Sequence, residues 1–122
     1  MHELSKAFRF EAAHTLRRVV DAASSRRIHG HSYRAEVFVR GAPDPATGMV
    51  VDLGEMDAAL SAVRADLDHQ FLDEVADLGP ATLENLAAYI LRRAAQALPS
   101  VHRVVVHRDS TGETCACFFA DS

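Results

Sequence analysis

The stretch that decides the fold is residues 33–41, Tyr-Arg-Ala-Glu-Val-Phe-Val-Arg-Gly. Its small and apolar side chains stand at every second position, at Tyr33, Ala35, Val37 and Val39, and mostly charged ones lie between them. This period of two predicts a half-buried β-strand, and the pattern ends at Gly41. The segment before it begins with His29-Gly30-His31, so two imidazoles come to lie at the start of that strand.

Three other segments also predict strands. Residues 4–13 alternate in the same way, with Phe8, Phe10 and Ala12 on one face. Residues 101–108 and 114–120 are apolar enough for two further strands, and the small, polar stretch 109–113 joins them as a turn. Residues 15–27 have no clear period, so we expect a loop there.

Two amphipathic helices are predicted between the second and third strands. Asp52 followed by Glu55 has the spacing of a capping box, and an apolar stripe at helical spacing begins just after it. Thr82 is the expected N-cap of the second helix, and Pro99 follows its last turn.

The element order is therefore strand, strand, helix, helix, strand, strand. It predicts a single α+β domain over residues 1–122, with both helices on one face of a four-stranded antiparallel sheet. The exposed edges of such a short sheet need a cover, and pairing between subunits supplies one. We therefore expect a homo-oligomer.

Composition limits the class of protein. The chain has 122 residues, with Lys+Arg 13 against Asp+Glu 17, which gives a net charge of −4. An acidic surface repels phosphate backbones, so nucleic acid is not an expected partner. No apolar run is long enough for a membrane span, and no export segment is apparent. Two cysteines, Cys115 and Cys117, are too few for a disulfide framework, so we expect a cytoplasmic protein.

Three of the seven histidines have the arrangement of a metal site. His14 follows the first strand, whereas His29 and His31 are two apart on the second and so point to the same side. If these strands pair as a hairpin, three imidazoles meet, which is the ligand set of a catalytic Zn²⁺ with an open fourth position. The alternative is that they are unrelated polar residues at strand ends.

The pair Asp68-His69 follows the first helix, and it has two interpretations. The carboxylate orients an imidazole that exchanges protons, or a cation simply meets the C-terminal dipole of the helix. His102 and His107 in the third strand are expected to be surface or packing residues. The apolar strand around Cys115 and Cys117 favours packing over metal binding for both thiols.

Five blocks together resemble the 6-pyruvoyltetrahydropterin synthase and 6-carboxytetrahydropterin synthase family. They are residues 8–14 (Phe-Arg-Phe-Glu-Ala-Ala-His), 28–33 (Ile-His-Gly-His-Ser-Tyr), 48–53 (Gly-Met-Val-Val-Asp-Leu), 67–73 (Leu-Asp-His-Gln-Phe-Leu-Asp) and 81–85 (Ala-Thr-Leu-Glu-Asn). The blocks occur in the family's order and span nearly the whole chain.

The resemblance implies a T-fold (tunnelling fold), in which trimers stack into hexamers with active sites at subunit interfaces. It also implies zinc on His14, His29 and His31. The family's catalytic aspartate and histidine correspond to Asp68 and His69. Two further family positions are kept in the wall of the substrate pocket, at Thr82 and Glu84.

Two positions depart from the family pattern. Ser25 stands where the family has a catalytic cysteine, and a hydroxyl is much less acidic than a thiol of pKa ~8.5. Arg108 stands where the family has a glutamate that binds the pterin ring. Because a guanidinium only donates hydrogen bonds, this change favours an acidic group or a carbonyl edge. A shift of register leaves Asp109 or Glu113 as a replacement carboxylate.

The leading hypothesis from the sequence is a zinc-dependent lyase or isomerase of this family that has diverged to an acidic, non-pterin small molecule. In it, Asp68 and His69 move protons, Ser25 forms hydrogen bonds, and Arg108 anchors the acidic group. The first alternative is a genuine 6-pyruvoyl- or 6-carboxytetrahydropterin synthase acting on 7,8-dihydroneopterin triphosphate. The second is a non-catalytic, metal-stabilised oligomer that binds a ligand.

Overall fold

The computed structural model describes residues 1–20 and 22–120. The described chain contains five strands and three helices. In chain order they are β1 (His2–His14), α1 (Ala22–Ser25), β2 (His29–Gly41), α2 (Leu53–Leu67), β3 (Gln70–Phe71), α3 (Leu83–Ala97), β4 (Val101–Arg108) and β5 (Glu113–Phe118). A turn of 3₁₀ helix, Leu72–Glu74, follows β3.

The five strands form one sheet in the order β3-β1-β2-β4-β5. The predicted antiparallel pairing of β1 with β2 and of β4 with β5 is confirmed, and β4 also pairs antiparallel with β2. The prediction of only four strands is corrected by β3, which runs parallel to β1 beside Ala12 and Ala13. Two residues are too few to leave an alternating pattern in the sequence.

The alternation that predicted β2 is confirmed by burial. Tyr33, Ala35, Val37 and Val39 are all at most 2% exposed, and they face the layer that contains α2 and α3. Phe10 on β1 lies directly opposite Tyr33, and their rings stack with centroids 4.9 Å apart. The core therefore lies on one face of the sheet, as the α+β class predicts.

Both long helices begin at the predicted caps. Asp52 Oδ1 accepts hydrogen bonds from the backbone N–H groups of Gly54 at 2.7 Å and Glu55 at 3.2 Å. The Thr82 hydroxyl accepts one from the N–H of Asn85 at 3.1 Å. These bonds satisfy donors that the first turn of a helix leaves without partners.

The loop predicted at residues 15–27 is only partly correct. Residues Ala22–Ser25 form the helix α1, which is too short to give a helical period in the sequence. Position 21 lies outside the described residues. The Ser25 carbonyl accepts a hydrogen bond from the N–H of Leu16 at 2.7 Å, so the segment folds back on the end of β1.

The two edges of the sheet differ. β5 forms one edge, whereas β1 lies at the other for most of its length because β3 covers it only at Ala12 and Ala13. In the part of the chain that the structure describes, no helix combines the length and apolar character of a membrane span.

Candidate active site

The pairing of β1 with β2 brings the three predicted metal ligands together. His14 lies directly opposite His29, and His31 is two residues further along the same face of β2. The ring centroids of the three pairs are 4.6, 4.9 and 5.0 Å apart. One nitrogen from each ring lies within 4.8 Å of the other two, so the three imidazoles converge.

Two backbone carbonyls orient the rings. His14 Nδ1 lies 2.8 Å from the Ala81 carbonyl oxygen, and His29 Nδ1 lies 2.7 Å from that of Arg27. Because a carbonyl oxygen can only accept, each Nδ1 carries the proton and each neutral ring presents a lone pair at Nε2. These two Nε2 atoms are 3.0 Å apart.

Two lone pairs at that distance repel each other unless a cation or a proton lies between them. Burial lowers the pKa of His14, and burial together with the Arg108 guanidinium lowers that of His31 to about 4. Both effects favour the neutral imidazole, which is the form that binds metal. Three convergent neutral nitrogens fit a zinc ion with one position left open.

The histidines lie in the wall of a cavity of about 710 Å³. Four of the other predicted site residues line the same cavity, from α1, from the start of α3 and from β4. They are Ser25, Thr82, Glu84 and Arg108. Ser25 is 5% exposed and ends the helix α1, so this residue lines the same cavity as the three histidines.

Arg108 is already engaged by protein groups. Its Nε donates to the Thr111 hydroxyl at 2.9 Å, its Nη1 lies 3.3 Å from His31 Nε2, and its Nη2 donates to a carboxylate oxygen of Glu113. Glu113 faces Arg108 across the β4–β5 hairpin and lines the cavity. The guanidinium therefore stands in the cavity as half of an ion pair.

Of the two replacement carboxylates considered, Asp109 and Glu113, it is Glu113 that reaches the cavity. Thr111 and Arg108 lower the pKa of its carboxyl group to about 2, so it is ionised at neutral pH. Asp109, the other residue considered, forms two hydrogen bonds with Arg34 at 3.0 and 3.1 Å. It is not among the residues that line this cavity.

Tyr33 is a cavity residue that sequence reasoning placed only in the strand pattern. It is 2% exposed, and its ring contacts that of His31 edge-on at 5.8 Å. Burial raises the pKa of its hydroxyl to about 12, against the opposing effect of the nearby Arg108. The signal was present in the sequence, because Tyr33 is two residues after His31 on the same face of a strand.

Asp68 and His69 form a pair at a separate place. His69 Nδ1 lies 2.9 Å from Asp68 Oδ2, and the other carboxylate oxygen accepts the backbone N–H of Glu11 at 2.9 Å. The hydrogen bond from the Glu11 N–H has the largest effect on the pKa of Asp68 and lowers it. His69 and Arg64 lower this pKa further. The His69 side chain is 78% exposed, and its backbone has the left-handed φ of 58°. Such a conformation is uncommon outside glycine and is typical of functional sites.

His69 lines a shallow cavity of about 430 Å³ together with Gln70, Phe71 and the end of β1. This cavity and the larger one have only His31 in common. The monomer therefore brings together the three histidines, Ser25, Thr82, Glu84 and Arg108, but leaves Asp68 and His69 outside the large cavity.

The remaining candidates pack in the core or lie beside carboxylates. Cys115 and Cys117 are free thiols that contact the core from β5. His102 Nε2 lies 2.5 Å from a Glu3 oxygen, and His107 Nε2 lies 3.4 Å from one of Glu36.

Comparisons with known proteins show which family the chain resembles. A family model described as 6-pyruvoyl tetrahydropterin synthase matches residues 3–119. The 6-carboxy-5,6,7,8-tetrahydropterin synthase of Synechocystis sp. is 37% identical over 107 residues, which cover 83% of this chain and 81% of that protein. The 6-pyruvoyl tetrahydrobiopterin synthase of Poecilia reticulata is 46% identical over 77 residues, which span 59% of this chain and about half, 52%, of that protein.

Solved structures of similar fold carry the same family name. The solved structure of Caenorhabditis elegans 6-pyruvoyl tetrahydropterin synthase superposes with a TM-score of 0.84 over 98% of this chain and 96% of that one, at 24% identity. This likeness confirms the expected T-fold class, with β3 as a difference of detail. The match of the family model over residues 3–119, with the 37% identity to the Synechocystis protein, shows that the chain belongs to the 6-pyruvoyl tetrahydropterin synthase family.

Proposed function

We propose that the protein is a zinc-dependent lyase that acts on the side chain of a reduced pterin. The observation that carries the proposal is the convergence of three imidazole nitrogens, within 4.8 Å of one another, in the wall of a cavity of about 710 Å³. A cavity of this size suits a bicyclic ring with a polar side chain. The names of the relatives, which are pterin synthases, support the substrate class.

His14, His29 and His31 would hold the zinc ion, which as a Lewis acid supplies polarisation of a hydroxyl or carbonyl oxygen. Proton transfer is assigned to His69, whose Nδ1 is fixed by Asp68 and whose Nε2 is left to face a substrate. The Ser25 hydroxyl is assigned hydrogen bonding rather than proton abstraction. Thr82 and Glu84 line the same cavity and would orient the substrate.

The proposal includes a homo-oligomer, trimer or hexamer, whose active sites lie between subunits. Two observations support it. His69 lies outside the cavity that contains the three histidines, so a second subunit is needed to bring the two together. The outer edges of β1 and β5 are open to pairing with other chains. The cytoplasmic location expected from the cysteine content remains a prediction.

The divergent, acidic non-pterin substrate is a second candidate. One observation favours it, which is the lining of the cavity. A serine, Ser25, stands there in place of the family's thiol, and three cationic side chains also line the cavity: Arg18, Arg27 and Arg108. The pairing of Arg108 with Glu113 weighs against it, because it cancels the charge that was to anchor the acidic group.

The experiment that tests the proposed function is turnover of 7,8-dihydroneopterin triphosphate by the zinc-loaded protein, followed by chromatography of the pterin products. We expect a tetrahydropterin with a shortened or rearranged side chain. We also expect His69→Gln to lower kcat by ~10²–10⁴ with KM and zinc content little changed. His2→Gln, at the exposed N-terminal end, is the matched histidine control.

No turnover by a zinc-loaded, folded protein would contradict the proposed function. Turnover of a non-pterin acid instead would favour the second candidate. Zinc binding with neither activity, and with no measured property changed by His69→Gln, would favour the non-catalytic oligomer.

A further inference from the structure

His14, one of the three candidate metal ligands, is the last residue of β1, and the chain leaves the sheet directly after it. Strand ends open more easily than strand interiors, so a ligand at this place needs additional support. The imidazole ring has such support, because its Nδ1 lies 2.8 Å from the Ala81 carbonyl oxygen. The backbone that carries the ring is held by a different group.

That group is the carboxylate of Asp73, which binds Thr15, the residue directly after His14. The backbone N–H of Thr15 donates to Asp73 Oδ1 at 2.9 Å, and the Thr15 hydroxyl donates to Asp73 Oδ2. Hydrogen bonds to an ionised group are among the stronger ones in proteins. Two of them on one residue fix both its backbone and its side chain. We call this pair of bonds the Thr15–Asp73 clamp.

Asp73 lies at the end of a segment that runs alongside the last residues of β1. At the start of this segment, Asp68 Oδ1 accepts from the Glu11 N–H at 2.9 Å, and the Glu11 carbonyl accepts from the N–H of His69 at 2.6 Å. β3 then pairs in parallel with the next two residues of β1. The clamp is the last contact of this series, one residue beyond His14. It therefore supports β1 at the position of the candidate metal ligand.

The carboxylate of Asp73 also acts on His14 through its charge. Burial has the largest effect on the pKa of His14 and lowers it, whereas the negative charge of Asp73 acts in the opposite direction. A carboxylate that favours positive charge on this imidazole favours a metal cation there for the same electrostatic reason. It opposes the positive charge of Arg108, whose Nη1 lies 3.3 Å from His31 Nε2.

We propose that Asp73 is a positioning residue for the metal site. Through Thr15 it fixes the end of β1, so that the His14 ring meets those of His29 and His31 at the spacing that one metal ion requires. Asp73 acts through its neighbour and is not itself assigned as a ligand. The inference rests on the proposed function only in taking the three histidines as zinc ligands.

The test measures metal binding by the full chain. Zinc affinity is obtained by competition with a chromophoric chelator, and Co²⁺ in place of zinc reports the ligand geometry through its visible absorption bands. We expect Asp73→Ala to bind zinc at least ~10-fold more weakly, as loss of an orienting partner does, and to change the Co²⁺ bands. Parent affinity and parent bands in Asp73→Ala would overturn the inference, even if the thermal midpoint falls, because the clamp would then serve only the fold.

Asp73→Asn separates position from charge. The amide oxygen still accepts from the Thr15 N–H, and the amide NH₂ can donate to the Thr15 hydroxyl, so only the charge is lost. We expect this variant to recover the parent Co²⁺ bands, with a zinc affinity between those of the parent and Asp73→Ala. Bands as altered in Asn as in Ala would overturn the positioning role.

Glu74→Ala is the matched control, because it removes the neighbouring exposed carboxylate on the same 3₁₀ turn. It should change neither zinc affinity nor the Co²⁺ bands, and a loss equal to that of Asp73→Ala would overturn the inference.

A double variant tests whether Asp73 acts through Thr15. Groups that act as a unit give non-additive effects, so Thr15→Val combined with Asp73→Ala should bind zinc no more weakly than Asp73→Ala alone. Fully additive losses would show that the two residues affect the site by separate routes, and they would overturn the clamp.

The same measurements distinguish this inference from the proposed function. Parent zinc binding that Asp73→Ala leaves unchanged would overturn the inference alone, whereas no zinc binding by the parent chain would overturn both. Weakened zinc binding in Asp73→Ala, with no turnover of 7,8-dihydroneopterin triphosphate by the parent, would overturn the proposed reaction and leave the inference standing.

Discussion

Two backbone carbonyls decide which nitrogen His14 and His29 offer to a metal. The Ala81 and Arg27 carbonyls each lie within 2.8 Å of an Nδ1 and fix the tautomer of the ring. The Nε2 lone pairs then meet at 3.0 Å. The three histidines could hold a metal ion, and the groups that orient two of them belong to the main chain, so no side-chain motif in the sequence predicts those groups.

Removal of one imidazole should abolish stoichiometric zinc binding. We expect His29→Ala to lower zinc affinity by more than the ~10–100-fold that loss of an orienting partner costs. The control is His102→Ala, whose imidazole lies in β4 beside Glu3. Zinc content is measured by elemental analysis after dialysis. Full zinc occupancy in His29→Ala would show that the three-histidine site is not where the metal binds.

At the scale of elements, short segments position the site. α1 has four residues and brings Ser25 to the cavity, and β3 has two and follows directly after His69. The long elements were predictable because their periods extend over many residues, with both helix caps at the expected positions. Segments of two to four residues carry no such period, so sequence reasoning missed them.

The cap of α2 provides a stability prediction. Asp52→Ala leaves the N–H groups of Gly54 and Glu55 without their acceptor, and we expect a loss of ~0.5–2 kcal/mol in the free energy of unfolding. Asp52→Asn retains an acceptor oxygen and should lose much less. Urea denaturation measures both variants. A loss as large in Asn as in Ala would contradict the capping role.

At the scale of the whole molecule, ion pairs connect strands that are distant in the sequence. Glu3 on β1 contacts His102 and Arg103 on β4, with an Arg103 Nη2 to Glu3 Oε1 distance of 2.8 Å. The hydrogen bond from Arg103 is the largest influence on Glu3 and, with that from His102, lowers its pKa from 4.5 to about 2.

This pair predicts a pH dependence of stability. Because folding lowers the carboxyl pKa, the stabilisation is complete above about pH 4.5 and is lost as the pH falls toward 2. For a partly exposed pair we expect less than about 1 kcal/mol. Glu3→Gln should therefore be less stable than the parent at pH 7, and the two should converge near pH 2. The control Glu74→Gln should match the parent at both pH values. A difference that persists at pH 2 would contradict this explanation.

The proposed shared site predicts complementation between subunits. His29→Ala and His69→Gln chains are each expected to be inactive, because one lacks a metal ligand and the other the proton-transfer group. When the two are unfolded together and refolded as mixed oligomers, about a quarter of the sites receive both intact groups from different subunits. Activity near that fraction is expected. Mixtures as inactive as the separate variants would place both groups in the same subunit.

The sequence by itself determined the four long strands, the two long helices, their caps and the three-histidine set. These features follow from periodicity and from residue chemistry, both of which are local. The family resemblance was likewise contained in short blocks of sequence, and the match over residues 3–119 agrees with it.

Only the tertiary structure decided how the cavity is completed. β5 begins at Glu113, one residue before the predicted start, and this register sets Glu113 opposite Arg108. The two form an ion pair, so the positive charge of Arg108, which the sequence analysis assigned to binding an acid, is balanced by Glu113. Pairing across a hairpin depends on strand register and on which side chains are buried together, and neither is encoded in any single stretch of the chain.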